Sequence, residues 1–395
     1  MATENYALIR TVGIIGAGAM GRGIAEVCAA TGLHVRLLDE CRQVASTAVQ
    51  RIKSADANAL VRVASCESDL SDADLVIEAV PEELAIKTSV LARIEPHLSD
   101  HAIVASNSSS LSITQLSTSL RLPARFCGLH FCHPVEQRPL VEVVQTESTD
   151  AKTMALADSF AKSIGMSPVI VKDSPGFLLN RLLVPYMNET LELLLHGASI
   201  ESLDRAAKTF GMPIRPLALF DEFGIDVALA VGRSLFVAFP ERIAPSELLI
   251  AMYKSGRRGR KAGDGFYHTP EDATFGRLDP DVQALIGSRR RSEGRLDADT
   301  VALRLFLPTL LEATRMLEEQ LVDDSQTIDR VLRDGLGLQP PYRGLFPWAN
   351  AIGAAPLLER LKPLRTLGEH FAPTSLLRAA ADHHLPIGTR RPMAG

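Results

Sequence analysis

A glycine-rich turn near the N-terminus constrains the fold of this 395-residue chain more than any other feature. A β-branched run over residues 11–15 leads into the turn, and an apolar helical pattern over residues 20–31 follows it. Between them, Gly16, Gly18 and Gly21 have the spacing G-x-G-x-x-G. A strand, a tight glycine turn and a helix in this order indicate a strand–helix–strand unit and therefore a parallel sheet.

The spacing of this turn is typical of a dinucleotide-binding site. Gly16 permits the tight turn, Gly18 lets the backbone approach a pyrophosphate, and Gly21 lets the helix pack against the strand. The first N–H groups of the helix face the phosphates, and Met20 lies among the expected cofactor contacts. Asp39 ends the second predicted strand, where its carboxylate can bind the adenosine ribose and repel a 2′-phosphate. The sequence therefore predicts NAD rather than NADP.

Strands and helices alternate along the first 172 residues. Further strands are predicted at 34–38, 75–80, 103–106, 126–130 and 141–144, and helices at 42–60, 83–95 and 151–164. This alternation implies an α/β doubly wound parallel sheet covered on both faces. The turn-forming residues 173–176 then begin a helical pattern, so a domain boundary is expected at residue 173.

The helical remainder of the chain repeats itself. The segment Arg181-Leu-Leu-Val-Pro-Tyr-Met-Asn-Glu189 matches Arg304-Leu-Phe-Leu-Pro-Thr-Leu-Leu-Glu312, and Asp204-Arg205 matches Asp329-Arg330 at nearly the same offset. We infer a duplicated all-α domain. The expected domains are a sheet domain at 1–173, a first helical copy at 174–270, a linker at 271–298 and a second copy at 299–388.

Bulk composition excludes several classes of protein. The formal net charge of −5 argues against a nucleic-acid footprint. No apolar run approaches the ~20 residues that a membrane span needs, and the first ten residues are too short and mixed for a signal peptide, so a cytoplasmic protein is expected. The five cysteines show neither zinc spacing nor an even disulfide count, which predicts reduced thiols and no metal.

A histidine and a glutamate near the end of the sheet domain could carry acid–base chemistry. His130 ends a predicted strand, where a side chain can point into the cleft beyond the sheet, and Glu142 follows twelve positions later. Oxidation of an alcohol needs a base for the hydroxyl proton and a partner for the new imidazolium. A histidine and a glutamate twelve positions apart are, however, a weak signal on their own, because such pairs are more often structural than catalytic.

Seven motifs, spread over nearly the whole chain, carry a resemblance to a known family. They are Gly-Ala-Gly-Ala-Met-Gly-Arg-Gly-Ile-Ala from 16, Val-Ile-Glu-Ala-Val from 76, Ala-Ser-Asn-Ser-Ser-Ser-Leu from 105, Gly-Leu-His-Phe from 128, Pro-Leu-Val-Glu-Val from 139, Lys-Asp-Ser-Pro-Gly-Phe-Leu-Leu-Asn-Arg from 172 and Gly-Arg-Lys-Ala-Gly-Asp-Gly-Phe-Tyr from 259. The chain resembles the 3-hydroxyacyl-CoA dehydrogenases, most closely the dehydrogenase portion of multifunctional fatty-acid β-oxidation α subunits.

This resemblance implies a Rossmann-like NAD-binding domain and reversible oxidation of a (3S)-3-hydroxyacyl-CoA to a 3-oxoacyl-CoA. His130 is then the general base, and Glu142 orients and stabilises it. The same resemblance implies that Ser109 hydrogen-bonds the reacting oxygen and borders the nicotinamide, and that Asn180 helps to hold the substrate. It assigns cofactor contacts to three further residues: Glu82, Lys87 and His133.

Some features depart from the family pattern and keep alternatives open. His133 stands where the family has asparagine, and the segment 40–81, which helps to hold coenzyme A in relatives, is short. A dehydrogenase of a small free 3-hydroxy acid and a non-catalytic NAD- or acyl-CoA-binding protein are therefore alternatives. Leu303 replaces Asn180 in the second helical copy, which indicates a structural role and makes a monomer as acceptable as a homodimer. Trp348 either extends the acyl pocket or fills the core.

Overall fold

The computed structural model describes residues 9–52, 54–292, 294 and 296–389. The chain divides into two compact units, which we call the sheet unit, Met1–Phe177, and the helical unit, Leu178–Gly395.

The sheet unit is built from eight strands with helices between them. In chain order its elements are β1 (Thr11–Ile15), α1 (Ala19–Ala30), β2 (His34–Leu38), α2 (Arg42–Gln50), α3 (Ala55–Leu60), β3 (Val61–Val63), β4 (Leu75–Glu78), α4 (Leu84–Ile94), β5 (Ile103–Ser106), α5 (Ile113–Ser117), β6 (Phe126–Phe131), β7 (Leu140–Gln145), α6 (Ala151–Ser163) and β8 (Ser167–Lys172). The strand order is β3-β2-β1-β4-β5-β6-β7-β8. The chain winds outward from β1 in both directions, which confirms the predicted doubly wound sheet. The crevice between β1 and β4 is the place where such sheets bind ligands.

The sheet is not wholly parallel, which corrects one expectation. β6 and β7 are antiparallel, whereas every other neighbouring pair among the described strands is parallel. The connection of residues 132–139 explains this, because a parallel crossover needs about a dozen residues or more. As a result, β7 begins at the edge of the sheet where β6 ends.

Two edge strands escaped the sequence patterns. β8 contains Pro168, which is unfavourable inside a sheet but tolerated at an edge. β3 is only three residues long and directly follows the segment predicted as one helix over 42–60. That segment instead contains α2 and α3, and the side chain of Ser54 accepts a hydrogen bond from the Ala57 N–H to begin the second helix.

The helical unit contains twelve helices in its described part. They are α7 (Leu179–Leu195), α8 (Ile200–Phe210), α9 (Pro216–Phe223), α10 (Ile225–Ala238), α11 (Glu247–Lys254), α12 (Pro270–Phe275), α13 (Pro280–Gly287), α14 (Ala298–Glu318), α15 (Ser325–Leu336), α16 (Leu345–Ile352), α17 (Ala354–Leu364) and α18 (Ser375–Asp382). α7 and α14, which carry the repeated segment, pack against each other.

Reciprocal ion pairs join these two helices. Arg181 Nε donates to Glu312 Oε1 at 2.6 Å, and Arg304 Nε donates to Glu189 Oε1 at 2.6 Å. All four side chains are almost fully buried. Each copy therefore supplies the arginine for the glutamate of the other, and the repeat is a pseudo-symmetric packing device.

An aromatic cluster lies in the same unit. The rings of Phe210 and Phe306 stack with centroids 3.8 Å apart, and Trp348 meets both rings edge-on. Trp348 is 7% exposed, so it fills the core.

The segment predicted as a linker contains ordered helices. Asp279 caps the start of α13, and a proline occupies the first turns of both α12 and α13. Two of its charged residues form salt bridges with residues outside it: Asp279 binds Arg257 at 2.8 Å, and Arg291 binds Glu192 at 2.7 Å.

Candidate active site

The glycine turn lies at the carboxyl end of β1, and each glycine meets a different constraint. A Cβ on Gly16 would lie 2.5 Å from the Ala79 carbonyl oxygen, and the φ of Gly16 is +99°. A Cβ on Gly21 would lie 1.8 Å from the Gly16 carbonyl oxygen. A Cβ on Gly18 would meet nothing within 4 Å. Gly16 and Gly21 are therefore needed by the fold itself, whereas Gly18 keeps a surface open to a ligand.

Asp39 closes this turn from the neighbouring strand end. Its Oδ2 accepts the Ala17 N–H at 2.8 Å and its Oδ1 accepts the Cys41 N–H at 3.0 Å. The carboxylate is half-buried and each oxygen retains acceptor capacity for a hydroxyl group. A cavity of about 470 Å³ lies beside it, lined among others by Gly18, Arg22 and Thr47.

The start of α1 completes a site for a phosphate. Gly18 is the N-cap of α1 and no side chain caps the helix there. N–H groups at an uncapped helix start, next to backbone that no side chain covers, suit the pyrophosphate of a dinucleotide. The residues present therefore fit NAD: Gly16, Gly18 and Gly21 at the pyrophosphate, and Asp39 at the adenosine ribose.

His130 and Glu142 face each other across the antiparallel pair β6–β7. They are register partners, and Nδ1 of His130 lies 2.6 Å from Oε2 of Glu142. Both side chains are buried, with exposed fractions of 6% and 0%. Because Nδ1 is bound to the carboxylate, Nε2 is the nitrogen available to exchange a proton.

Glu82 organises the turn that follows β5. Its Oε1 accepts hydrogen bonds from the N–H groups of Ser109 and Ser110 at 2.9 and 2.8 Å, and from the Ser108 hydroxyl at 2.7 Å. Burial acts to raise the pKa of Glu82, but the Lys87 ammonium and the serine hydrogen bonds outweigh it, so the pKa is lowered. The Glu82 carboxylate thus fixes the backbone that carries Ser109.

Lys87 is buried beneath this turn. Its ammonium donates to Glu78 Oε1 at 2.7 Å and to the Val80 carbonyl at 3.1 Å, and lies 3.3 Å from Glu82 Oε2. Its exposed fraction is 1%. Lys87 therefore supports Glu82, and its expected contact with the cofactor stays a prediction.

His133 and Cys132 follow β6 and differ in their surroundings. His133 is exposed, whereas Cys132 is buried. Burial, and to a lesser extent the charge of Glu142, raises the pKa of the Cys132 thiol well above its usual range. Cys132 is therefore a neutral core side chain. No group of histidine, cysteine, aspartate or glutamate that could hold a metal ion occurs in the part of the chain that the structure describes.

Comparisons with known proteins place this geometry in a family. The model of the 3-hydroxyacyl-CoA dehydrogenase NAD-binding domain matches residues 11–174, and that of the family's C-terminal domain matches residues 176–269. The (S)-3-hydroxybutyryl-CoA dehydrogenase of Ralstonia eutropha is 36% identical over 65% of this chain and 98% of its own, with a TM-score of 0.60. The chain belongs to the 3-hydroxyacyl-CoA dehydrogenase family.

Two further solved structures match almost the whole chain. The 3-hydroxybutyryl-CoA dehydrogenase of Escherichia coli is 26% identical, covers 95% of this chain and 99% of its own, and has a TM-score of 0.82. The dehydrogenase part of multifunctional enzyme 1 from Caenorhabditis elegans shares the fold at 23% identity and a TM-score of 0.68, over 96% of this chain and 93% of its own. This family member is an NAD-dependent dehydrogenase.

The structure brings most of the predicted site residues of this dehydrogenase to one edge of the sheet. β1, β4, β5 and β6 run parallel, so the glycine turn, Glu82 and Ser109 follow strand ends on that edge, and His130 is the last-but-one residue of β6. Asn180 lies in the helical unit as the second residue of α7 and is half-buried. His133 follows β6, outside the network around His130 and Glu142.

Sequence reasoning missed the supports beneath the site. Glu78 is fully buried and binds Lys87 at 2.7 Å and the Ser106 hydroxyl at 2.6 Å. Asn107 Oδ1 accepts the Phe131 N–H at 3.0 Å and ties the ends of β5 and β6 together. A charged or amide residue ending an apolar strand was the available signal, because a buried carboxylate requires a partner.

No helix in residues 9–52, 54–292, 294 and 296–389 is long and apolar enough to cross a membrane.

Proposed function

We propose that this enzyme oxidises the 3-hydroxyl group of a (3S)-3-hydroxyacyl-CoA to a 3-oxoacyl-CoA in a reversible reaction of the fatty-acid β-oxidation type. The observation that carries the proposal is the buried His130–Glu142 pair, joined at 2.6 Å beside the carboxyl edge of an NAD-binding sheet. A histidine held by a carboxylate through Nδ1 presents Nε2 as a proton acceptor. An acyl-CoA substrate agrees with the family to which the chain belongs.

Each of these residues has a separate role in the proposed reaction. The bound nicotinamide supplies the hydride acceptor, and C3 of the substrate loses its hydrogen with the bonding electron pair. His130 Nε2 accepts the proton of the 3-hydroxyl as the carbonyl forms. Glu142 stabilises the resulting imidazolium, since a fully buried carboxylate at 2.6 Å offsets the new charge where little water is present. The proton leaves to solvent when product has departed.

The remaining roles concern position. Ser109 donates a hydrogen bond to the reacting oxygen, and Glu82 holds the backbone on which Ser109 is carried. Asn180 binds the substrate thioester region. His133 borders the nicotinamide and, as an exposed imidazole, donates one hydrogen bond in place of the family's asparagine.

The substitution His130→Gln tests the proposal. We expect turnover of acetoacetyl-CoA with NADH to fall by about 10²-fold or more, the scale of general-base loss. The NADH affinity should stay unchanged, because glutamine keeps a polar side chain away from the glycine turn. His101→Gln is the matched control, since His101 is an exposed histidine of the same unit. Wild-type turnover in His130→Gln at saturating substrate would remove His130 from this role.

The substrate class needs its own measurement. Rates on acetoacetyl-CoA and on free acetoacetate, taken at equal concentrations, separate an acyl-CoA dehydrogenase from a dehydrogenase of small free acids. A higher kcat/KM on the free acid would overturn the acyl-CoA assignment while leaving the role of His130 intact. Absence of NADH oxidation with either compound would instead favour a non-catalytic binding protein.

The reciprocal pairs between α7 and α14 support a monomer, because one chain supplies both halves of a packing that otherwise requires two. The cytoplasmic location stays a prediction.

A further inference from the structure

A cavity of about 600 Å³ lies inside the helical unit, away from every residue assigned above to the reaction. Glu189 of α7, Arg304 of α14 and His370 are among the residues that line it. The rim reaches solvent, because the Glu241 and Glu247 side chains that also line it are 56% and 51% exposed. A small molecule can therefore enter without unfolding the unit.

The internal repeat tells which residues of the two copies correspond at this place. Beyond the matched helices, the segment Glu241-Arg-Ile-Ala-Pro-Ser246 matches Glu369-His-Phe-Ala-Pro-Thr374. Ser246 and Thr374 both cap the helix that follows. His370 therefore occupies the position of Arg242, just as Glu189 occupies the position of Glu312.

Beside Glu312, the chain's own Arg242 fills this position. Arg242 Nε donates to Glu312 Oε2 at 3.0 Å, and the guanidinium lies 4.1 Å above the Phe239 ring. Glu312 is also bound by Arg181. Burial acts to raise the pKa of Glu312, but Arg181 and Arg242 outweigh it and lower the pKa. Arg315 Nη1 also donates to Glu312 Oε2 at 3.3 Å, so three guanidinium groups satisfy both oxygens of this buried carboxylate.

In the other copy one oxygen is left without such a partner. Arg304 uses Nε and Nη2 on the same atom, Glu189 Oε1, at 2.6 Å each. Glu189 Oε2 faces Nε2 of His370 at 3.7 Å, which is too long for a hydrogen bond. Within the described ranges, no donor is bonded to this oxygen, although Glu189 is only 3% exposed. The shorter histidine leaves the space that the arginine fills in the first copy.

The charges around the cavity favour a cation. Its lining contains five carboxylates (Glu189, Glu192, Glu241, Glu247, Glu369) and three guanidiniums (Arg242, Arg291, Arg304), which leaves an excess of two negative charges when the histidines are neutral. Arg291 is already held by Glu192 and Glu247, each at 2.7 Å. The guanidiniums are therefore engaged, and an anion would meet net repulsion.

We propose that this cavity binds a small alkylguanidinium ligand, whose guanidinium group pairs with Glu189 Oε2 at the place where Arg242 pairs with Glu312 in the repeated copy. The planar donor pair of a guanidinium matches a carboxylate oxygen that has lone pairs to spare. An amino group at the far end of the ligand meets the carboxylates of the rim. The site is separate from the reaction and does not depend on the proposed substrate.

Calorimetric titration with agmatine tests this proposal, and butylurea serves as a neutral analogue with a similar planar head. Wild-type protein should bind agmatine with at least about tenfold higher affinity than butylurea, because charge-assisted pairing to a buried carboxylate provides about 1.4 kcal/mol or more. Equal affinity for the two compounds, or no binding heat with agmatine at about 10 mM, would overturn the proposal.

Two variants locate the binding. His370→Arg places the chain's own guanidinium against Glu189, as Arg242 does against Glu312, and should weaken agmatine binding by at least about tenfold while raising Tm. His383→Arg is the matched control, because it adds the same charge at an exposed position of the helical unit outside the cavity lining. Leu367→Phe copies Phe239 and should strengthen binding a few-fold. Unchanged affinity in both His370→Arg and Leu367→Phe would contradict the site.

Discussion

Two kinds of buried acid–base pair can be compared, one from each unit. In the sheet unit, His130 Nδ1 lies 2.6 Å from Glu142. In the helical unit, Arg181 and Arg304 bind Glu312 and Glu189, also at 2.6 Å. Distance and burial are nearly the same, and the difference lies in the cation. An arginine keeps its proton at every pH at which the protein is folded, whereas a histidine exchanges it near neutrality.

This difference separates structure from chemistry. The arginine pairs join the two helical copies and do not exchange a proton, so their role is to specify packing. The histidine pair can be charged or neutral while both side chains stay in place, so it can pass through a catalytic cycle. Burial and short distance alone therefore do not mark a catalytic residue.

Breaking an arginine pair should have the largest effect on stability. Arg304→Met leaves Glu189 buried with His370 as its remaining partner, and we expect the free energy of unfolding to fall by about 3–5 kcal/mol. Urea unfolding at pH 7 measures it. The double variant Arg304→Met/Glu189→Met removes both charges and should recover most of the loss. If the double variant is no more stable than the single variant, the unpaired charge of Glu189 does not account for the lost stability. The pair is then needed for the fold itself.

Glu142→Gln sharpens the comparison from the catalytic side. Glutamine keeps an acceptor for His130 Nδ1 but loses the charge that stabilises the imidazolium, so turnover should fall by about 10- to 10²-fold. The free energy of unfolding should change much less than in Arg304→Met, because glutamine removes a buried carboxylate charge instead of leaving one without its cation. Steady-state kinetics and urea unfolding on the same preparation measure both. A large loss of stability with full turnover would show that the His130–Glu142 pair serves packing and not catalysis.

A further buried carboxylate, in the helical unit, has no arginine or lysine of the described residues hydrogen-bonded to it. Asp221 accepts the N–H groups of Phe266 and Tyr267 at 2.8 and 3.0 Å, and burial raises its pKa to about 6 despite them. A carboxyl with a raised folded-state pKa contributes stability that is complete below its unfolded value and is lost as the pH rises through about 6. Asn350, in the second copy, accepts the Ile387 N–H at 2.7 Å in the same manner without a charge.

Asp221→Asn should therefore gain stability relative to wild type as the pH rises from 4 to 7. The difference in unfolding free energy should grow by about 2 kcal/mol across this interval. Urea unfolding at several pH values measures it, with Asp281→Asn as the exposed control. A difference that stays constant with pH would show that Asp221 ionises normally in the folded protein.

Gly18→Ala gives the smallest expected effect and separates the cofactor from the fold. A Cβ at Gly18 has open space around it and the backbone φ is −67°, so Tm should stay unchanged. The methyl group occupies the approach of the pyrophosphate, and the Kd of NAD should rise by about tenfold. Fluorescence titration with NADH measures the affinity. Gly16→Ala, which meets Ala79 backbone, should instead destabilise the sheet unit.

Most of the sheet could be predicted from local patterns. The observed strand β5 coincides with the predicted residues 103–106, and β1 and β2 also agree. The edge strands could not be predicted, because Pro168 and the brevity of β3 weaken the apolar signal that identifies a strand. The helices between 270 and 287 were hidden because their caps lie in a segment rich in charged residues.

Local spacing in the chain was enough to predict the NAD turn and the repeat of the helical segments, because these depend on neighbours within a few positions or on similar text repeated later. The residues proposed for the reaction were instead predicted from the resemblance to a known family. The tertiary structure decided which side chains meet. Glu142 reaches His130 because β7 turns back antiparallel, and Glu189 lacks a second cation because residue 370, far along the chain, is histidine rather than arginine. Contacts between distant residues depend on how strands and helices pack, and spacing along the chain does not encode that directly.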